Sequence, residues 1–290
     1  MVSETRESLL DLVIRGATLY DGTGAPGFPA DVGVHGDRIV AVGRPDVDSP
    51  VSPGAVELDA RGLAVAPGFI DVHSHDDFAV LLEPTMSFKI MQGVTTEVVG
   101  NCGAGPAPYG AARRRFAEMH PGPAPARWSG LGGYLARVDE VGPSLNVAAL
   151  LGHNVLRSAV MGNADRRPSD AELDQMRRWV RQGVAEGAVG MSTGLIYEPG
   201  CHATTEELVA LAQELGGSGG GVYATHLRDE AGGLLASVRE AIEIGEEADV
   251  SVQISHHKAA GRSNRGLVNQ SLRLIEEARD RGVDVTADQY

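Results

Sequence analysis

The spacing of apolar positions changes character once along the chain. Up to about residue 62 the apolar residues come in short runs bounded by Gly, Asp or Pro: Leu12–Ile14, Thr18–Tyr20, Asp31–Val34, Arg38–Val42 and Val56–Leu58. Such runs predict short strands, and Gly36-Asp37 between two of them predicts a hairpin turn. Residues 1–62 therefore read as a small β-module. From residue 63 onward, apolar strands alternate with helical periodicity. The predicted strands are Leu63–Val72, Thr95–Val99, Asn146–Leu151, Ala188–Ser192, Gly221–Thr225, Val250–Ser255 and Val283–Ala287. Helical stretches lie between them, notably Ser169–Glu186, Thr204–Leu215, Leu234–Glu247 and Asn269–Arg281. This alternation predicts an α/β unit, residues 63–290, built on a parallel sheet. Ser169 with Glu172, and Thr204 with Glu207, fit the capping-box pattern at two helix starts. The Pro- and Gly-rich stretch Gly103–Gly130 reads as a long loop or lid after the second strand.

Chemistry concentrates where those strands end. The run from Leu63 to Ile70 leads into Asp71-Val72-His73-Ser74-His75. On a strand, His73 and His75 point to one face, so both can close on one metal ion or share it with other strands. An isolated His-x-His is a short signal, because two alternating structural histidines look the same. In a β/α barrel the C-terminal strand ends converge and carry the catalytic groups, which makes the other ends an independent check. They carry Asn101-Cys102-Gly103, His153, Ser192-Thr193-Gly194-Leu195, Thr225-His226-Leu227-Arg228, Ser255-His256-His257-Lys258 and Asp288-Gln289-Tyr290. Most of the nine histidines fall at such ends. Cys102, His226 and His256 offer one thiolate and two imidazoles from three different strands, a fitting donor set for zinc. A lone cysteine is more often a small buried hydrophobe, but the glycines around Cys102 let a turn hold it at a strand tip. His256 and His257 are neighbours on one strand and cannot both face inward. Shared parity with Ile254 and Lys258 selects His256. Cys201 reads as an ordinary loop residue.

Composition narrows the setting. A chain of 290 residues with 42% hydrophobic content can bury one large α/β core with a small appendage. Aromatics are only 4%, so that core is built from Val, Leu, Ile and Ala. A formal charge of −14 argues against a nucleic-acid partner. The one basic cluster, Arg113-Arg114-Arg115, reads as a solvated helix face. Two cysteines make no disulfide framework. The start has no apolar leader, and no apolar run is long enough to cross a membrane. The expectation is a cytoplasmic protein with no membrane partner.

The pieces Gly68–His75, Gly100–Gly103, Ser192–Tyr197, Thr225–Glu230 and Ser255–Lys258 together resemble the D-aminoacylase (N-acyl-D-amino-acid deacylase) branch of the amidohydrolase superfamily. The similarity runs from about Asp11 to the last residue. Many superfamily members share His-x-His, whereas Asn-Cys-Gly, Ser-Thr-Gly-Leu and Ser-His-His-Lys are more specific to this branch. The resemblance implies a distorted TIM-like (β/α)8 barrel flanked by a small β-sandwich, to which residues 1–62 contribute. It implies zinc-dependent hydrolysis of an N-acyl-D-amino acid to a D-amino acid and a carboxylate. It also implies one tightly held zinc on Cys102, His226 and His256, with His73 and His75 in a second site that is weaker or vacant. Lys258, Tyr197 and Tyr290 match positions that contact the substrate carboxylate and its surroundings, and His153 is a further substrate-binding candidate.

Members of this branch run well beyond 290 residues, with a catalytic aspartate at the end of the eighth strand. This sequence stops at the tip of the seventh, so the barrel is expected to be truncated there and its general base to lie outside the chain. Asp288 belongs to the seventh-strand Ala-Asp-Gln-Tyr element and is not read as its replacement. Loss of general acid–base help costs ~10²–10⁴-fold in rate. An open barrel also leaves two strand edges for self-association or a complementing chain. Two rivals stand beside this reading. A cyclic-amide hydrolase of the dihydroorotase or hydantoinase type usually bridges two metals with a carboxylated lysine on the fourth strand, and Gly187–Thr193 holds no lysine. An inactive metal-binding remnant is the non-enzymatic rival.

Overall fold

The change in apolar spacing corresponds, in the computed structural model, to two compact units that divide between Gly68 and Phe69. Residues 10–44, 51–119, 127–216 and 220–289 are described. The first unit is a sheet of β1 (Leu10–Leu19), β2 (Phe28–His35), β3 (Arg38–Gly43), β4 (Gly54–Asp59) and β5 (Ala64–Val65). Its order is β3-β2-β1-β4, with β5 also pairing β1. The run Leu12–Ile14 and the first two residues of Thr18–Tyr20 belong to one strand, β1, whose register is irregular between Ile14 and Ala17. Gly36-Asp37 forms the turn that pairs His35 with Arg38. Leu10, Val13 and Val51 make one small core, and Leu19, Ala30 and Val32 another.

The predicted strand Leu63–Val72 is two strands. β5 pairs with β1 of the first sheet, while β6 (Phe69–Asp71) opens the second. Pro67, between them, has no N–H to give to a ladder, which explains the break. The second sheet continues through β7 (Val94–Val99), β8 (Asn146–Gly152), β9 (Gly190–Gly194), β10 (Val222–His226), β11 (Ser251–Ile254) and β12 (Val285–Ala287). All seven strands are parallel, and each lies beside its predecessor in the chain. That unbroken order is the winding of a β/α barrel. A doubly wound sheet would reverse order at a switch point.

The crossovers hold α1 (Ala79–Leu82), α2 (Ser87–Ile90), α3 (Tyr109–Met119), α4 (Gly130–Val141), α5 (His153–Met161), α6 (Asp170–Ala185), α7 (Thr205–Ala212), α8 (Leu234–Ala248) and α9 (Leu267–Asp280). The reading of Gly103–Gly130 as a loop is corrected by α3. Flanking Pro and Gly obscured its apolar spacing, Ala111, Ala112 and Phe116, which is buried. Arg113 and Arg114 lie exposed on that helix, as expected. Helix faces close over the sheet through Met176 and Val180, Leu208 and Leu211, Val238 and Ile242, and Ile275 and Ala278, against Met191, Tyr223, Val252 and Val285. Each large side chain so buried stabilises by ~1.5–3 kcal/mol. The Ser169–Glu172 capping box is complete. At Thr204 only half forms: its hydroxyl accepts from Glu207 N, but the Glu207 carboxylate is drawn to His153 and Arg157. Among the described residues, no helix is long and apolar enough to cross a membrane.

Candidate metal centre

The strand ends of the second sheet place the chemistry. β7 runs into a turn in which Gly100 (φ +86°), Cys102 (+54°) and Gly103 (+71°) are all left-handed. This reversal keeps Cys102 at the strand tip, buried. His226 is the last residue of β10. β11 ends at Ile254, before His256, so strand parity does not choose between His256 and His257. The turn does: His256 sits at φ +37° and joins the cluster, while His257 Nε2 is turned to Ser271 Oγ at 2.9 Å.

Two overlapping donor triads result. The ligand atoms of Cys102, His226 and His256 all lie within 4.8 Å of one another, and so do those of His73, His75 and Cys102. Cys102 Sγ, common to both, is 3.3 Å from His73 Nε2 and 3.6 Å from His256 Nε2. The His226 and His256 rings meet edge to face at 4.2 Å between centroids. Tyr197 stands edge-on to His226 at 4.8 Å. All five residues expected to ligate metal are therefore brought together.

Two carboxylates frame them. Glu230 lies 2.8 Å from His256 Nδ1, 3.7 Å from His226 Nε2 and 2.6 Å from Lys258 Nζ. Burial alone would raise its pKa, but the hydrogen bonds to His256 and Lys258 outweigh that and hold it at about 2. Asp288 accepts from His256 N at 2.5 Å and Gln253 Nε2 at 2.9 Å, and lies 3.3 Å from His73 Nδ1. These bonds overcome its burial and lower its pKa. A carboxylate on the far nitrogen of a ligating histidine fixes its tautomer and leaves the other nitrogen for metal. Asp288 stands so to His73, whereas His256 Nδ1 faces both Glu230 Oε1, at 2.8 Å, and Lys258 Nζ, at 3.1 Å. Neither role was read from sequence, though Glu230 falls four residues beyond His226, in the loop after β10, and Asp288 follows a strand end. Beneath the His73–His75 segment, Lys89 Nζ bridges Asp71 and Asp76, at 2.5 and 3.1 Å.

The remaining expected residues divide. Lys258 reaches the cluster directly, with Nζ 3.1 Å from His256 Nδ1, and through Glu230, while Tyr197 reaches it through His226. His153 does not: its ring is fully buried, with Nε2 on Glu207 Oε1 at 3.0 Å. Arg157 holds the other oxygen of Glu207 at 2.5 Å. The expected substrate contact at His153 is thus corrected to a buried ionic tie between α5 and α7. Tyr290 lies outside the described residues.

The donors fit zinc. Cys thiolate and His imidazole are both zinc ligands, and three protein ligands leave a fourth position open, as in catalytic zinc sites. Both nitrogens of buried His226 lack a hydrogen-bond partner, a costly arrangement unless something else satisfies the ring. Burial, then the nearby His256, pushes its pKa down to about 4, which leaves the neutral imidazole that a metal needs.

A singly wound parallel β/α sheet with histidines, a cysteine and carboxylates gathered at its strand ends is the framework of a β/α barrel with a candidate metal site. The chain belongs to the amidohydrolase family, whose model matches residues 56–288. It is 41% identical to D-aminoacylase of Alcaligenes xylosoxydans xylosoxydans, over 100% of this chain and 59% of that protein. It is 43% identical to N-acyl-D-aspartate deacylase of the same organism, over 92% of this chain and 53% of the relative. The crystal structure of N-acyl-D-glutamate deacylase from Bordetella bronchiseptica, with zinc and a phosphonate mimic of the tetrahedral intermediate, superposes with a TM-score of 0.86. That match has 39% identity and covers 97% of this chain and 58% of that one. The chain spans somewhat more than half the length of these relatives.

Proposed function

We propose that this chain carries the zinc-binding part of an N-acyl-D-amino-acid deacylase, hydrolysing a linear amide to a D-amino acid and a carboxylate. The convergence of Cys102, His226 and His256 at three strand ends carries this reading. They would hold the tighter zinc, which when bound supplies Lewis acidity at the scissile carbonyl. His73 and His75, sharing Cys102, would form the weaker second site. Lys258 is the anchor for the substrate carboxylate, a charge-assisted contact. Glu230, at 2.6 Å, holds its ammonium in place. The exposed Tyr197 ring beside His226 lines the approach. No residue of this chain is assigned as general base.

The rival cyclic-amide hydrolases usually use a bridging lysine on the fourth strand, and β9, Gly-Met-Ser-Thr-Gly, has none. The test is hydrolysis of N-acetyl-D-methionine against its L-enantiomer and dihydroorotate by zinc-loaded protein. Release from the D-enantiomer alone is expected. Turnover of dihydroorotate, or equal use of both enantiomers, contradicts the proposal. Zinc retention without any turnover favours the inactive metal-binding reading.

Two further parts of the reading concern its surroundings. Among the described residues β6 and β12 stand at the ends of the parallel sheet, and within β6 Phe69 and Ile70 are 65% and 62% exposed. These edges are where a complementing chain or second copy would pair. A reducing cytoplasm suits the free cysteines Cys102 and Cys201.

A further inference from the structure

The Cys102 thiol is aimed by a turn that its own residue type disfavours. A non-glycine residue in the left-handed region costs roughly 1–2 kcal/mol, and Cys102 sits at φ +54° between two other left-handed residues. Something must restrain that turn, and the restraint comes from two strands away. Ser192, in β9, is fully buried. Its Oγ accepts a hydrogen bond from Gly103 N at 3.0 Å and donates one to Gly100 O. Those two backbone groups bracket Cys102 on either side. Close packing completes the seat. A Cβ on Gly194 would lie 2.3 Å from Cys102 O, and one on Gly103 would lie 1.9 Å from Asn154 Oδ1. The same Asn154 Oδ1 accepts from Gly194 N at 3.0 Å. The strand carrying Ser192 is thereby locked against the turn carrying Cys102.

We propose that Ser192 is a positioning residue for the Cys102 thiolate: its hydroxyl ties Gly100 O to Gly103 N and so holds the strained turn that points Sγ at His226 and His256. The inference rests on the assignment of Cys102, His226 and His256 as zinc ligands. In this account Ser192 contributes neither charge nor a ligand atom. It removes the turn's freedom to relax, so that the metal need not reorganise the turn on binding. Supporting groups of this kind typically set metal affinity by 10–100-fold.

The test compares three variants of the full chain: Ser192→Ala, Ser192→Thr and Ser192→Val. Thr keeps the hydroxyl and Val copies the shape of Thr without it, so that pair isolates the hydrogen bonds at constant volume. Two readouts are used: zinc affinity by chelator competition, and the thiolate-to-metal charge-transfer band of the cobalt-substituted protein. Ser192→Ala and Ser192→Val are expected to lose ~10–100-fold in zinc affinity and to weaken or shift the band. Ser192→Thr is expected to stay within about threefold of the parent, with its band unchanged. Equal affinity and equal bands for Thr and Val overturn the proposal. Failure of all three variants to fold overturns it too, since the side chain would then be holding the fold and not the thiolate. A parent protein that binds zinc while its variants do not differ counts against Ser192 alone. A parent that binds no zinc removes the ligand assignment as well.

Discussion

Glu207 shows what a single side chain can hold. Its carboxylate is buried between His153 and Arg157, and their hydrogen bonds and charges outweigh the burial penalty, lowering its pKa. Removing one partner of a buried ionic group leaves the others uncompensated, at ~3–5 kcal/mol. Glu207→Ala should lose that much in urea unfolding, and a loss under 1 kcal/mol would contradict the network. Because the folded pKa is depressed, the carboxylate's contribution is complete above the ordinary carboxylate range and fades as pH falls through its lowered value. Lys258→Ala makes a second prediction: KM for an N-acyl-D-amino acid rises ~10–100-fold with a smaller change in kcat, as loss of a charge-assisted anchor requires. An unchanged KM would place the substrate carboxylate elsewhere. At this scale much of the site was legible, because Cys and His at strand ends are unusual enough to notice. Carboxylates are not. Glu230 and Asp288 look like any solvated acid until the fold sets them on His256 and His73. His153 obeyed the same strand-end grammar as the ligands, yet its ring turns to Glu207.

Among the elements, α6 is the clearest case of sequence dictating structure. Ser169 Oγ accepts from Glu172 N while the Glu172 carboxylate accepts from Ser169 N, and the apolar stripe through Met176 and Val180 is buried. Ser169→Ala should cost ~0.5–2 kcal/mol, measured as a shift in unfolding midpoint without loss of zinc. An unaltered midpoint would mean the cap contributes nothing. The apparently equivalent Thr204–Glu207 pair is only half a box, because a buried cation outcompetes a helix N-terminus for the carboxylate. Element boundaries failed where a break has no length of its own. Pro67 splits one apolar run into β5 and β6, which sit in different sheets. The helix α3 hid among glycines and prolines because its buried residues are mostly alanines.

For the whole molecule, the order of the parallel strands follows from the β/α alternation. The pairing of β1 with β4 and β5 does not, since nothing local encodes which distant strands meet. The buried acids beside the centre tie its surroundings to overall stability. Glu97 is fully buried, and burial, then the charge of Asp76, pushes its pKa up to about 7. A raised folded-state pKa means stability is complete below the ordinary carboxylate range and is lost as pH rises through about 7. The midpoint of thermal unfolding should therefore fall between roughly pH 5 and 8, and Glu97→Gln should flatten that slope. An identical slope in the variant would assign it to other groups. Metal content decides whether Cys102, His226 and His256 form one zinc site. Zinc should be measured on the purified parent and on Cys102→Ala, His226→Ala and His257→Ala. One tightly held zinc is expected in the parent and in His257→Ala, and none in the other two. Zinc retained without Cys102 or His226, or lost with His257, would contradict that site.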